Sequence, residues 1–233
     1  MLTVSLVIAA TATAAALVHH EFFRPPTPGA PKSTVEYMPS WQSLVASGRT
    51  IGDSSAPVKI VEFADLQCPF CRQFNRSIRL AIERYPSKVS LVFIHFPLRG
   101  HSFALPGARA VECAHAENKF VALVDLLYER QDSLTGKNPA DVKMWVAFAR
   151  EVGVRDTLRF ERCMETVAVP PMVEAGLKVG EAHKISRTPT VIINGWRYSA
   201  PPSDSEMVRG VSRILEGKSP HQRSLFARLL GRG

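Results

Sequence analysis

The stretch VKIVEFADLQCPFCRQF, residues 58–74, constrains the fold more than any other. VKIVEFADL (58–66) is short, β-branched and largely apolar, as a strand covered on both faces should be. The helical pattern RQFNRSIRLAIERY (72–85) begins six residues later. It sets Phe74, Ile78, Ile82 and Tyr85 at helical spacing, and Pro86 stops it. Cys68-Pro69-Phe70-Cys71 lies at the junction. Proline is favoured at the first helical position, where its missing N–H costs nothing, so Cys68 is expected to be the N-cap. A sulfur there meets free backbone N–H groups and the positive end of the helix dipole, which favour thiolate over thiol. Cys71, one turn on and more buried, is placed to resolve a mixed disulfide.

The remaining pattern predicts an α/β fold. KVSLVFIHFPL (88–98) is a second buried strand. TVIINGWRY (190–198) is a strand, an Asn194-Gly195 turn and a return strand, because both turn positions call for positive φ. SEMVRGVSRILEG (205–217) is a final helix stopped by Gly217. The residues between, about 101–172, read as a helical insertion, with Met144, Trp145 and Phe148 as ordinary helix core. At 45% hydrophobic and 21% charged residues, the chain has the composition of a globular protein with a sizeable core.

The cysteine pair has rival readings. Structural zinc needs two more ligands, commonly another close Cys or Cys/His pair. Cys113 and Cys163 are isolated, and His95 and His101 complete no four-ligand cluster, so no metal is expected. A thiol-bearing module that holds a soft metal such as Cu(I) is the non-enzymatic alternative. Two further features favour redox chemistry. Glu62 stands in the middle of an apolar strand, where burial should raise its pKa and suit it to exchange a proton with Cys71. Thr188-Pro189 stands directly before a strand. A cis bond there would let Thr188 offer main-chain hydrogen bonds to an extended peptide, but spacing alone does not fix the isomer.

The ends of the chain suggest where it works. Residues 1–20 open with MLTVSLVIAATATAAALV, uncharged, borderline in length for a span of roughly 20 residues and carrying small-x-small cleavage patterns. They read as a signal peptide or a membrane anchor. Residues 21–40 include RPPTPGAPKS and read as a proline-rich linker, so that the domain runs over 41–218. Either reading of the N-terminus places the domain in a periplasmic or other extracytoplasmic, oxidising compartment. The basic residues Arg209, Arg213, Lys218, Arg223, Arg228 and Arg232 face one acid, Glu216, leaving a basic tail over 219–233. No aromatic residues interleave with them in a nucleic-acid pattern, and no such partner is expected. In an oxidising compartment Cys113 and Cys163 are candidates for a structural disulfide. Two free thiols or a second electron-shuttling pair are the alternatives. His101 and His115 are assigned no role.

VEFADLQCPFCRQF, FIHFPLRGHSFA, AVECAHAENKF and TPTVIING, in that order, resemble the DsbA-like thiol–disulfide oxidoreductases of the thioredoxin superfamily over about residues 52–217. The resemblance implies a thioredoxin fold with a helical insertion between its two halves and no cofactor beyond the Cys68–Cys71 disulfide. It implies Cys68 as nucleophile, Cys71 as resolving cysteine, Glu62 as buried acid and Pro189 as a cis proline. It implies as partners exported proteins with cysteine thiols and a quinone-linked membrane reoxidant of the DsbB or VKOR type. The active-site dipeptide Pro69-Phe70 departs from the best-known oxidising members, which carry histidine where this chain has Phe70. Oxidation is the expected direction, with reductase or isomerase activity as the alternative.

Overall fold

The computed structural model describes residues 34–220. The signal or anchor segment and most of the proline-rich linker and basic tail lie outside them. Six strands form one mixed sheet: β1 (Val35–Tyr37), β2 (Arg49–Gly52), β3 (Val58–Ala64), β4 (Val89–His95), β5 (Thr190–Ile193) and β6 (Trp196–Tyr198), in the order β1-β6-β5-β3-β4-β2. Only β3 and β4 run parallel. Glu62 of β3 stands opposite Phe93 on one side and Val191 on the other. The helices are α1 (Pro69–Arg84), α2 (Ala104–His115), α3 (Phe120–Glu129), α4 (Val142–Glu151), α5 (Thr157–Glu165), α6 (Pro171–Ala182) and α7 (Asp204–Leu215), with 3-10 turns at Trp41–Ser47 and Gln131–Leu134.

Strand alternation divides the core in two. Val58, Ile60 and Ala64 point to the face that α1 covers with Phe74 and Ile78, that α7 covers with Met207 and Val211, and that merges with the insertion around Leu123, Leu127 and Trp145. Val61 and Phe63 point to the other face, against Leu44 of the 3-10 turn and Val179 of α6. By the same alternation Glu62 lies on the α1 face, the face of Cys71. The parallel β3–α1–β4 unit and the antiparallel β5–β6 hairpin are the two halves of a thioredoxin fold, and α2 to α5 form the helical insertion between them.

The hairpin forms for the local reason its sequence suggests. Asn194 and Gly195 have φ of 44° and 88°, and a Cβ on Gly195 would come within 2.5 Å of the Trp41 ring. Two strands were not anticipated. β1 lies inside the stretch read as linker, so the sheet begins before residue 41. Its residues are half-buried or exposed on an edge, and it pairs Val35–Tyr37 with β6. β2 buries only Ile51 and lacks an apolar run. Edge strands of this kind carry little hydrophobic signal. In the insertion, Cys113 of α2 and Cys163 of α5 are joined by a disulfide, with S–S 1.98 Å and Cα–Cα 5.9 Å.

Candidate active site

Strand β3 ends at Ala64, and a short turn carries the chain to Cys68, where α1 begins. Cys68 is the N-cap of α1, with φ −73° and ψ 121°, and Pro69 occupies the first turn. Cys68 and Cys71 are both free thiols and both buried. Phe70 between them is 65% exposed. The turn is fixed from several sides. Asp65 accepts from the Gln67 and Leu98 N–H groups at 2.7 and 2.8 Å and pairs with His101 Nδ1 at 2.8 Å. The Gln131 amide, from the insertion, donates to the carbonyls of Leu66 at 2.8 Å and Cys68 at 3.1 Å.

Across the site, the Thr188-Pro189 peptide is cis. The Cys68 thiol donates to the Thr188 carbonyl oxygen, Sγ to O 3.3 Å. The opening of α1 and the loop before β5 therefore meet at one sulfur.

The two thiols differ sharply in acidity. A hydrogen bond from the Cys71 thiol, with backbone N–H groups of Cys71 and Phe70, outweighs the effect of burial and lowers the Cys68 pKa to about 5. Thr188 acts both ways. Its carbonyl accepts from the protonated thiol, whereas its buried hydroxyl, with no other hydrogen-bond partner among the described residues, favours the thiolate. Cys71 is pushed well above the ordinary thiol range, first by burial and then by its bond to Cys68. The Asp65 N–H donates to Cys71 Sγ at 3.5 Å and opposes this only in part.

Glu62 is fully buried, and neither carboxyl oxygen has a hydrogen-bond partner among the described residues. Burial, and next the charge on Cys68, raise its pKa to about 8, with the Cys71 thiol pulling it partly back. The site thus sets a thiolate at the helix terminus, a protonated thiol one turn deeper and a carboxyl group beneath it that titrates near neutrality.

The structure brings Cys68, Pro69, Phe70, Cys71, Glu62, Thr188 and Pro189 together. Cys113 and Cys163 lie apart from them in the insertion. Sequence reasoning missed Asp65 and Gln131. Asp65 carries a signal, a carboxylate three residues before the first cysteine. Gln131 reaches the site only through tertiary packing. No cluster of three or more His, Cys, Asp or Glu side chains among the described residues is arranged to hold a metal ion.

Comparison with known proteins agrees with this geometry. A family model described as "Thioredoxin" matches residues 45–213. The Na(+)/H(+) antiporter NhaA 3 of Salinispora tropica is 32% identical over 151 residues, covering 64% of this chain and 22% of that protein. The chain therefore spans about a quarter or less of the first curated relatives it matches. The probable disulfide bond formation protein D of Bacillus cereus is 27% identical over 173 residues, covering 72% of this chain and 79% of that protein. Among solved structures, oxidised BdbD from Bacillus subtilis superposes with TM-score 0.64 at 20% identity, covering 80% of this chain and all of that one. Wolbachia pipientis α-DsbA1 superposes with TM-score 0.63 at 18% identity, covering 73% and 92%. The chain belongs to the thioredoxin family, and its fold, with the helical insertion, is DsbA-like.

Proposed function

We propose that the protein is a thiol–disulfide oxidoreductase that oxidises cysteine pairs of exported proteins through a Cys68–Cys71 disulfide. The observation that carries this reading is the asymmetry of the two thiols. The Cys68 sulfur sits at a helix N-terminus with its pKa lowered to about 5, and Cys71 is held protonated behind it. A stabilised thiolate favours the reduced pair and makes the disulfide the better oxidant, which supports the oxidising direction.

The cycle runs as follows. A substrate thiolate attacks Cys68 Sγ, the Cys68–Cys71 bond breaks, and its electron pair leaves on Cys71, which takes a proton from Glu62. A second substrate thiolate attacks the substrate sulfur of the mixed disulfide. The product disulfide departs, and Cys68 leaves as thiolate. The Thr188 carbonyl, beside the reacting sulfur, lies where an extended substrate strand would pair. A quinone-linked membrane protein of the DsbB or VKOR type then restores the disulfide. In this reading the domain works in the periplasm or another extracytoplasmic space, and residues 1–20 export it or tether it to the membrane.

The test mixes the oxidised protein with a reduced two-cysteine peptide and follows both by mass. The reading predicts one peptide disulfide formed per pair of protein thiols released. An unreacted peptide, with copper bound at one per chain, would replace it with a metal-holding role.

A further inference from the structure

Three buried polar groups near Cys71 lack partners among the described residues: both Glu62 carboxyl oxygens, the Tyr128 hydroxyl and the Asn75 side-chain oxygen. Their residues are 0%, 2% and 6% exposed. Buried polar atoms are nearly always satisfied by protein or by ordered water, so three orphans in one region need a common account.

The region opens outward. A pocket of about 430 Å³ lies between α1 and α3, lined by Asn75 and Tyr128 with Arg72, Arg79 and Asp125. Its polar wall is held in place. Asp125 Oδ1 accepts from Asn75 Nδ2 at 3.0 Å and from the Arg79 guanidinium at 2.8 and 3.1 Å. That bond commits the Asn75 amide nitrogen and leaves its oxygen unpartnered. Cys71, Asn75 and Arg79 are spaced at i, i+4 and i+8 on α1, so one helix face runs from the buried thiol to the pocket. Tyr128 stands across from that face on α3. Burial first, and then the charges of Cys71, Glu62, Asp65 and Cys68, hold its hydroxyl un-ionised well above the ordinary tyrosine range.

We propose that the Tyr128 hydroxyl relays protons between Glu62 and the solvent that enters at this pocket, with water bridging the remaining gaps. The inference rests on the reading of Glu62 as the group that exchanges a proton with Cys71. That reading requires a fully buried carboxyl group to regain or release its proton once per cycle. A hydroxyl both donates and accepts, so Tyr128 passes a proton without ionising. Tyr128 is a positioning residue in this scheme and acts on the reacting pair through Glu62.

The test uses reduced protein and glutathione disulfide. Rapid mixing, acid quench and mass measurement follow the Cys68–glutathione mixed disulfide as it decays to the internal disulfide. In that step the Cys71 thiol gives its proton to Glu62 and attacks Cys68 Sγ, and glutathione thiolate departs. Glu62→Gln should slow the decay about 100-fold and Tyr128→Phe roughly tenfold. Tyr128→Phe in the Glu62→Gln background should add nothing, as for two groups on one path. The initial attack rate of Cys68 in Tyr128→Phe should match the parent. Its melting temperature should be no lower, because the hydroxyl removed has no partner among the described residues. A slow Glu62→Gln with a fast Tyr128→Phe overturns the relay and leaves the role of Glu62 standing. Full rate in both variants overturns the two together. Additive losses in the double variant also overturn the relay.

Discussion

The Cys68 thiol reaches across 120 residues of sequence to the Thr188 carbonyl oxygen, Sγ to O 3.3 Å. That contact ties the start of α1 to the cis Thr188-Pro189 loop and sets the reacting sulfur beside main chain able to receive a peptide.

The acidity of Cys68 is measurable in the reduced protein. Thiolate absorbance should titrate with a midpoint of about 5, against an ordinary value of 9.0. Because the folded value lies below the unfolded one, the thiolate stabilises the reduced fold fully above pH 9 and the contribution is lost as pH falls through about 5. Denaturant unfolding of the reduced protein and of Cys68→Ala should therefore diverge as pH rises from 5 to 8. Phe70→His tests the electrostatics separately. Phe70 is 65% exposed, so the core is undisturbed, and the imidazolium should lower the midpoint further by about 1. An unchanged midpoint would mean that position 70 does not act on the sulfur.

Glu62 should make stability depend on pH in the opposite sense. Its folded pKa, about 8, lies above its ordinary value of 4.5. The unfolded chain releases this proton before the fold does, so stability is greatest below pH 4.5, falls as pH rises and levels off above 8. Glu62→Gln removes that fall. Unfolding curves should nearly coincide near pH 4, with the variant more stable by roughly 4 kcal/mol at pH 8, less what its own unpartnered amide costs. Parallel curves at both pH values would place an ordinary, solvated carboxylate at residue 62.

The Cys113–Cys163 disulfide closes a loop with a sequence separation of 50 residues. In the chain-entropy model a crosslink of that span stabilises by roughly 4 kcal/mol. Replacing both cysteines with serine should lower stability by about that amount in denaturant titrations. The Cys68 thiolate midpoint should stay the same, since the bridge lies in the insertion, away from the reacting pair. A shifted midpoint would reveal communication between the two pairs.

Much of this site was legible because its signals are local. Pro69 after Cys68 marks a helix start, Asn194-Gly195 marks a hairpin, and a glutamate inside an apolar strand marks a buried acid. Burial and periodicity then supplied the α/β fold with a helical insertion. The features that escaped depend on distant chain. Val35–Tyr37 and Arg49–Gly52 become strands by pairing at sheet edges rather than by filling a core. Tyr128 reads as one more apolar residue of the α3 pattern VALVDLLYER until α1 is laid beside it. Gln131 reads as a polar residue in a turn until its amide meets the Cys68 carbonyl. The pairing of Cys113 with Cys163 was one of three readings, and only the packing of α2 against α5 brings the sulfurs together.

The central claim is that Cys68 attacks and Cys71 resolves. Trapping tests it most directly. Cys68→Ser and Cys71→Ser are each incubated with a peptide carrying an activated disulfide, and covalent adducts are counted by non-reducing mass spectrometry. Cys71→Ser should accumulate a mixed disulfide through Cys68 to near one per chain, and Cys68→Ser should form almost none, its remaining thiol being buried and protonated. Equal trapping by the two variants, or trapping through Cys71 alone, would contradict the assignment.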